Sequence, residues 1–418
     1  MYNMNNKILT SGIITLVAVA LVIFISGCVK QPTTPTGDDN AWTQEGINAV
    51  VNANNQFTFE IYSELNKNER GNIFLSPYSI SSALAMTYEG AEGKTAEEMQ
   101  DVFHFPEEDI RQPNSARIYN QLNERNKDYE LHTANALWAQ QDYRFLDEYS
   151  NTTERYYGGG VTNLDFVGET EKSRQIINGW VEDQTNDKIK DLIPPGQLNP
   201  MTRLVLTNAI YFKGTWVYQF DKKDTREMDF KITPDNIIKV PMMHLDNDDA
   251  RFNYAETEEL QILELPYRGE EISMLILLPK EDIASLEKEL DAEQLAEYKN
   301  ILTKQGVVIC LPKFTFETKY KLNDQLIEMG MPTAFTWPGA DFSGMTGNND
   351  LFISFVIHQA FVDVNEEGTE AAAATAVGME LGAMPTNIFC ADHPFIFIIQ
   401  QKDTGNILFL GRVIDPTK

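Results

Sequence analysis

The sequence predicts an α+β domain with mixed sheets, on three observations. Apolar residues recur at helical spacing over 43–65, 145–157, 173–185 and 283–302. Over 203–212 and 351–364 they run almost continuously, and over 131–139 they alternate, both of which are strand patterns. The two kinds of segment come in runs, without the strict alternation a doubly wound parallel sheet requires.

Each element has a local reason. Residues 43–65 place Ile47, Val50, Val51, Phe57, Ile61 and Leu65 on one helical stripe. Pro77 suits the first turn of the next helix, where its missing N–H costs nothing. Ile80, Leu84 and Met86 make that helix almost wholly apolar, and Gly90 and Gly93 end it. A surface helix follows over 115–127, then the strand 131–139 and the helix 145–157, with Gly158, Gly159 and Gly160 as a turn. After the helix 173–185, the continuous run 203–212 suits a strand buried on both faces. Short strands with acidic turns fill 229–278, a helix spans 283–302, a strand 307–316 and a helix 322–329. The long strand 351–364 leads into a glutamate-rich segment, and short strands at 388–390, 395–399 and 407–413 close the chain.

A chain of 418 residues that is 42% hydrophobic can bury a large core. No low-complexity linker interrupts it after Asn40, so one domain over 43–418 is expected, acting as a monomer. The net charge of −28 opposes nucleic acid and anionic membrane surfaces as partners. It also makes a heparin-type cofactor unexpected, since no dense basic run is present. The three cysteines, Cys28, Cys310 and Cys390, cannot form a disulfide framework; Cys310 and Cys390 lie in apolar runs and read as buried thiols.

Residues 1–27 are a targeting segment. Lys7 precedes the apolar run 8–25, and Ile25-Ser26-Gly27-Cys28 ends it in small residues before a cysteine. This resembles a lipoprotein signal, with Cys28 as the lipidated first residue; the alternative is an uncleaved membrane anchor. Residues 28–42 are then a tether. On either reading the domain lies at the extracellular face of the cytoplasmic membrane or is secreted and lipid-anchored.

Catalytic motifs fail one after another. Gly93-Lys94-Thr95 lacks the first glycine of a phosphate loop, since Tyr88 stands there. Asp341-Phe342-Ser343-Gly344 lacks the first glycine of a nucleophile elbow. No His-Glu-x-x-His or Cys-x-x-Cys occurs, and the acidic run 246–249 lacks the glycine and distal glutamate of a calcium loop. The five histidines are scattered, and His358, in an apolar strand, reads as a hydrogen-bonded core residue. No enzyme activity, cofactor or metal is expected.

One stretch stands apart. In residues 365–381, Thr369, Ala371, Ala373, Thr375, Val377, Met379 and Leu381 share one parity, and Glu370 and Glu380 fall on the other. That is a half-buried strand pattern, yet the alanine run also has high helix propensity. No proline interrupts from Asn365 to Met384, so every residue could join a ladder. The segment can be exposed loop, local helix or central strand, which makes it a candidate switch.

Three separated blocks carry a resemblance. His358-Gln-Ala-Phe-Val-Asp-Val-Asn-Glu-Glu-Gly-Thr-Glu, with the alanines after it, resembles the proximal hinge of the serpin reactive-centre loop. Residues 389–399 resemble that family's C-terminal strands, and 72–99 resemble its buried second helix. The resemblance implies a serpin fold: about three mixed sheets, eight or nine helices and an exposed reactive-centre loop. It further implies that 173–185 lies across the front of the main sheet. The implied function is irreversible suicide-substrate inhibition of serine endopeptidases, with cysteine endopeptidases as a second class. The loop is cut and inserts as a strand while the protease is still covalently attached. A non-inhibitory binding or chaperone module is the alternative.

Matching positions carry the family's roles. Glu366, Glu367, Gly368, Thr369, Glu370, Ala371, Ala372, Ala373, Ala374 and Thr375 form the hinge. Ser76, Ser79, Asn208 and His358 match the polar cluster under the sheet, and Trp216, Lys313 and Glu366 match the top of the opening. Counting from the two ends of the loop places the reactive bond at Leu381–Gly382 or Gly382–Ala383; Leu381 is preferred, because glycine offers a pocket nothing to bury. From Leu322 to Gln401 there is no Lys or Arg, so trypsin-like targets are excluded and chymotrypsin-, elastase- or subtilisin-like enzymes are expected.

Overall fold

The structure, a computed structural model, describes residues 37–124, 127–369 and 387–418. Cys28 and the tether up to residue 36, the hinge residues Glu370 to Thr375, and Leu381, Gly382 and Ala383 lie outside the described residues.

Three sheets organise the described residues. A six-stranded sheet runs in the order Phe314–Lys321, Ile353–Asn365, Gly368–Thr369, Leu204–Thr215, Tyr129–Gln140 and Val161–Leu164, with parallel and antiparallel pairs mixed. A four-stranded sheet orders Asn387–Cys390, Val307–Pro312, Asn236–Leu245 and Arg226–Thr233. The seven-stranded sheet, built mostly from C-terminal strands, pairs antiparallel throughout.

The helix Gln44–Asn68 starts where Thr43 Oγ1 accepts from the Gly46 N–H (2.9 Å) and buries Ile47, Val51, Phe57, Ile61 and Leu65. Ser76 caps Pro77–Tyr88, which is buried along nearly its whole length. The helix Thr170–Gln184 lays Ile177 and Val181 against Ala134, Trp138, Val205, Ala209 and Phe355, so it covers one face of the six-stranded sheet, as expected. The opposite face of that sheet packs toward Pro77–Tyr88 and the seven-stranded sheet.

Ten α-helices occur among the described residues, and four local readings need correction. Gly93 begins the helix Gly93–Phe103 instead of ending the one before, its positive φ placing it at a chain reversal. The helix expected from residue 115 begins at Glu108 and carries Pro113 inside it, because burial of Arg111 against Glu89 and Tyr157 outweighs the proline's cost. The single helix expected over 283–302 is two, Ile283–Glu289 and Ala292–Asn300, each capped by its own aspartate, Asp282 and Asp291. The strand expected over 307–316 breaks at Lys313, and its halves join different sheets.

Candidate functional site

The site lies where Ile353–Asn365 and Leu204–Thr215 meet. Over most of their length these strands pair directly and in parallel, from Ile353 opposite Leu204 to Phe361 opposite Tyr211. At the top they part, and the chain turns back so that Gly368 and Thr369 sit between them. Thr369 faces Val364 on one side and Gly214 on the other; Gly368 faces Asn365 and Thr215. Two residues of a further strand are thus already seated in the seam.

The fit is close. A Cβ on Gly368 would fall on the Gly214 carbonyl oxygen, so that position takes no side chain without the backbone moving, and one on Gly214 would come within 2.7 Å of the Tyr267 ring, which would have to shift. Thr369 is 1% exposed, and its hydroxyl lies 2.6 Å from the Tyr267 hydroxyl. Burial pushes the Tyr267 hydroxyl far above its ordinary pKa, so it stays neutral beside Thr369. The Tyr267 ring stacks on Trp216 at 4.4 Å between centroids. Trp216 Nε1 donates to the Asn365 carbonyl (3.1 Å) and its backbone N–H to the Glu367 carbonyl (2.9 Å).

Two buried glutamates precede the seated pair. Glu366 is 3% exposed, accepts from Thr225 Oγ1 (2.8 Å) and pairs with Lys313 Nζ (2.8 Å). Its burial alone would raise its pKa, but the Lys313 and Thr225 hydrogen bonds outweigh that and hold the carboxyl below its usual value. Glu367 pairs with the exposed ammonium of Lys222, whose pKa that contact raises. Lys313 therefore both marks the break between two sheets and pairs with a carboxylate just before the seated residues.

Lower in the seam, Ser76, Ser79, Asn208 and His358 come together, all fully buried. His358 and Asn208 are register partners on the two strands, and Nδ1 of the ring hydrogen-bonds Asn208 Oδ1 across the seam. The Ser76 backbone N–H donates to His358 Nε2 (3.0 Å). An N–H can only donate, so Nε2 must be unprotonated and the ring neutral. Burial agrees, lowering the His358 pKa to about 3. Asn208 Nδ2 donates to Ser79 Oγ (2.7 Å) and Asn135 Oδ1 (2.6 Å), and Ser76 Oγ donates to the Leu408 carbonyl (2.6 Å).

All the described residues expected at the hinge, the top of the opening and the polar cluster are thus assembled around one seam. Sequence reasoning missed Asn135, Tyr267, Lys222 and Thr225. Asn135 carried a partial signal, since it shares its parity with the buried Tyr129, Leu131, Leu137 and Ala139. The other three lie at strand ends and turns, where no period points inward. Among the described residues, no group of three or more His, Cys, Asp or Glu side chains is placed to hold a metal ion. What the geometry allows is strand addition: a chain continuing from Thr369 has a prepared start and a parallel pair to part.

Comparison with known proteins agrees with this geometry. The family model described as Serpin (serine protease inhibitor) matches residues 52–416. A serpin-like protein of Methanosarcina acetivorans is 44% identical over 416 residues, covering 95% of this chain and 96% of its own. Leukocyte elastase inhibitor A of Rattus norvegicus is 40% identical over 377 residues, covering 88% of this chain and 99% of its own. The crystal structure of Serpin48 from the insect Tenebrio molitor superposes with a TM-score of 0.79 at 36% identity, covering 88% and 98% of the two chains. The seam, the seated hinge and these likenesses together place the chain in the serpin family.

Proposed function

We propose that this serpin is an irreversible suicide-substrate inhibitor of serine endopeptidases, with cysteine endopeptidases as a second class, and performs no catalysis of its own. The observation that carries the reading is the seating of Gly368 and Thr369 between two strands that are otherwise paired to each other. A loop cut beyond the hinge can extend that start into a full central strand, carrying the acyl-enzyme with it. The small residues from Ala371 to Thr375 offer no bulk or proline to halt the extension.

The bait residue on this reading is Leu381, with cleavage at Leu381–Gly382 and Gly382–Ala383 as the neighbouring option. An apolar bait suits chymotrypsin-, elastase- and subtilisin-like pockets, and a relative named for inhibiting leukocyte elastase supports that class. Cys28 lipidation would hold the inhibitor at the outer face of the cytoplasmic membrane; the supporting feature is the Ser26-Gly27-Cys28 ending of the apolar run.

Mixing the purified protein with chymotrypsin tests the proposal directly. The expected result is an SDS-stable complex at a stoichiometry near one, a released peptide whose new N-terminus is Gly382, and severe loss of inhibition in Leu381→Asp. Complete turnover of the loop without any covalent complex would favour a non-inhibitory binding module.

A further inference from the structure

Cys310 and Cys390 are direct register partners on parallel neighbouring strands of the four-stranded sheet, and both are free thiols. Adjacent strands lie about 4.8 Å apart, inside the ~4.4–6.8 Å Cα separation that a disulfide spans. Phe389 is fully buried, while Ile388 is 60% exposed and Cys390 half-buried; Cys310, on the same face of the sheet, is buried, so a small oxidant reaches the pair through Cys390. His244, the partner of Cys310 on its other side, places Nδ1 at 3.7 Å from Cys310 Sγ. The Cys390 thiol and this ring, both in hydrogen-bonding reach, make Cys310 the more acidic of the two.

The strand Asn387–Cys390 resumes the chain after the loop, and among the described residues it is an edge strand whose one strand neighbour is Val307–Pro312. Val307–Pro312 runs through Lys313 into Phe314, the partner of Val364, so this sheet stands at the hinge end of the seam. A strand continuing the register of Thr369 opposite Gly214 would bring residue 379 opposite Leu204, about 33 Å lower at ~3.3 Å per residue. The eight residues from there to Asn387 reach at most about 29 Å. Insertion of the uncut loop to that depth must therefore pull Asn387–Cys390 off its neighbour; insertion of the cut loop need not.

We propose that Cys310 and Cys390 are a redox pair whose disulfide fastens this edge strand, blocking insertion of the uncut loop while leaving the cut loop free to insert. The inference rests on the loop-insertion reading above. The oxidant is a low-molecular-weight disulfide. One cysteine thiolate attacks it and releases a first small thiol, and the neighbouring cysteine then attacks the mixed disulfide and releases a second. One protein S–S bond forms, and the two electrons and two protons leave on the two released thiols.

The full chain, incubated with glutathione disulfide or with dithiothreitol, decides the matter. Non-reducing peptide mapping should find Cys310 and Cys390 linked. Hydrogen exchange at Asn387 to Cys390 should slow at least tenfold in the oxidised chain. On prolonged warming, the reduced chain should lose inhibitory capacity several-fold faster, a difference abolished in Cys390→Ser. Absence of the linked peptide overturns the pair, and a linked peptide with unchanged exchange overturns the fastening. A chain that traps no protease in either redox state sinks the inhibitory reading instead, and exchange still decides the fastening.

Discussion

Thr369 is the residue where the seam is most exacting. Its hydroxyl meets Tyr267 in a site closed by Trp216, and Val364 and Gly214 flank its backbone. An arginine there must either bury its charge or hold the chain out, and burying an unpaired charge costs far more than the lost hydroxyl contact. On the inhibitory reading proposed above, Thr369→Arg should therefore turn an inhibitor into a substrate, raising the stoichiometry of inhibition well above one while cleavage continues. Unchanged trapping would show that this face does not enter the sheet. His358 makes a second residue-scale case. Its folded pKa, about 3, lies below the ~6.5 of an unfolded chain, so the unfolded state binds the proton first. The stability it contributes is complete above about pH 6.5 and is lost as pH falls toward 3. Thermal midpoints between pH 7 and 4.5 should fall more steeply for the wild type than for His358→Gln. Parallel slopes would mean another group carries the acid lability.

At the scale of elements, Lys313 links a break in the backbone to an ion pair. The strand pattern on either side of it was legible, but the break was not, because the apolar run Val307–Pro312 and the alternating Phe314–Lys321 both read as strand and only tertiary pairing sends them to different sheets. The same holds for the helix over Glu108–Leu122, where Pro113 hid the true start until Arg111 was seen buried against Glu89. The polar cluster was readable only in part: its members could be placed by resemblance, but their convergence on one hydrogen-bonded seam comes from register. Removing Lys313 leaves Glu366 buried with Thr225 as its remaining side-chain partner. Because Lys313 is itself 36% exposed, the loss in Lys313→Met should stay near ~1–2 kcal/mol, below that of a fully buried pair. The double variant Lys313→Met with Glu366→Gln should recover part of it in chemical denaturation. Strict additivity of the two would argue that the pair does not anchor the hinge.

For the molecule as a whole, the registers specify what the inserted form must look like. Thr369 lies opposite Gly214 and Val364, so a strand continuing downward brings Thr375 opposite Asn208 on one side and His358 on the other. Those are the residues whose hydrogen bond now closes the seam. On the proposed mechanism, insertion would break that bond and deliver a hydroxyl between the separated groups. Each ladder hydrogen bond nets ~0.5–1.5 kcal/mol, and about a dozen residues bonded on both sides would release on the order of ten kcal/mol or more. Cleavage within residues 378–384 should accordingly raise the thermal midpoint by tens of degrees, and a cut chain melting no higher than the intact one would count against insertion. Thr375→Val sharpens the test. In the intact protein Asn208 and His358 already hydrogen-bond each other directly, so this substitution should not move the intact midpoint. In the cut form it withholds the hydroxyl from two fully buried polar groups, at ~1–3 kcal/mol. The midpoint should then drop by a few degrees in the cut form alone, measured by calorimetry on matched samples. Equal behaviour of Thr375→Val and wild type after cleavage would mean that the new strand stops short of His358 or enters in another register.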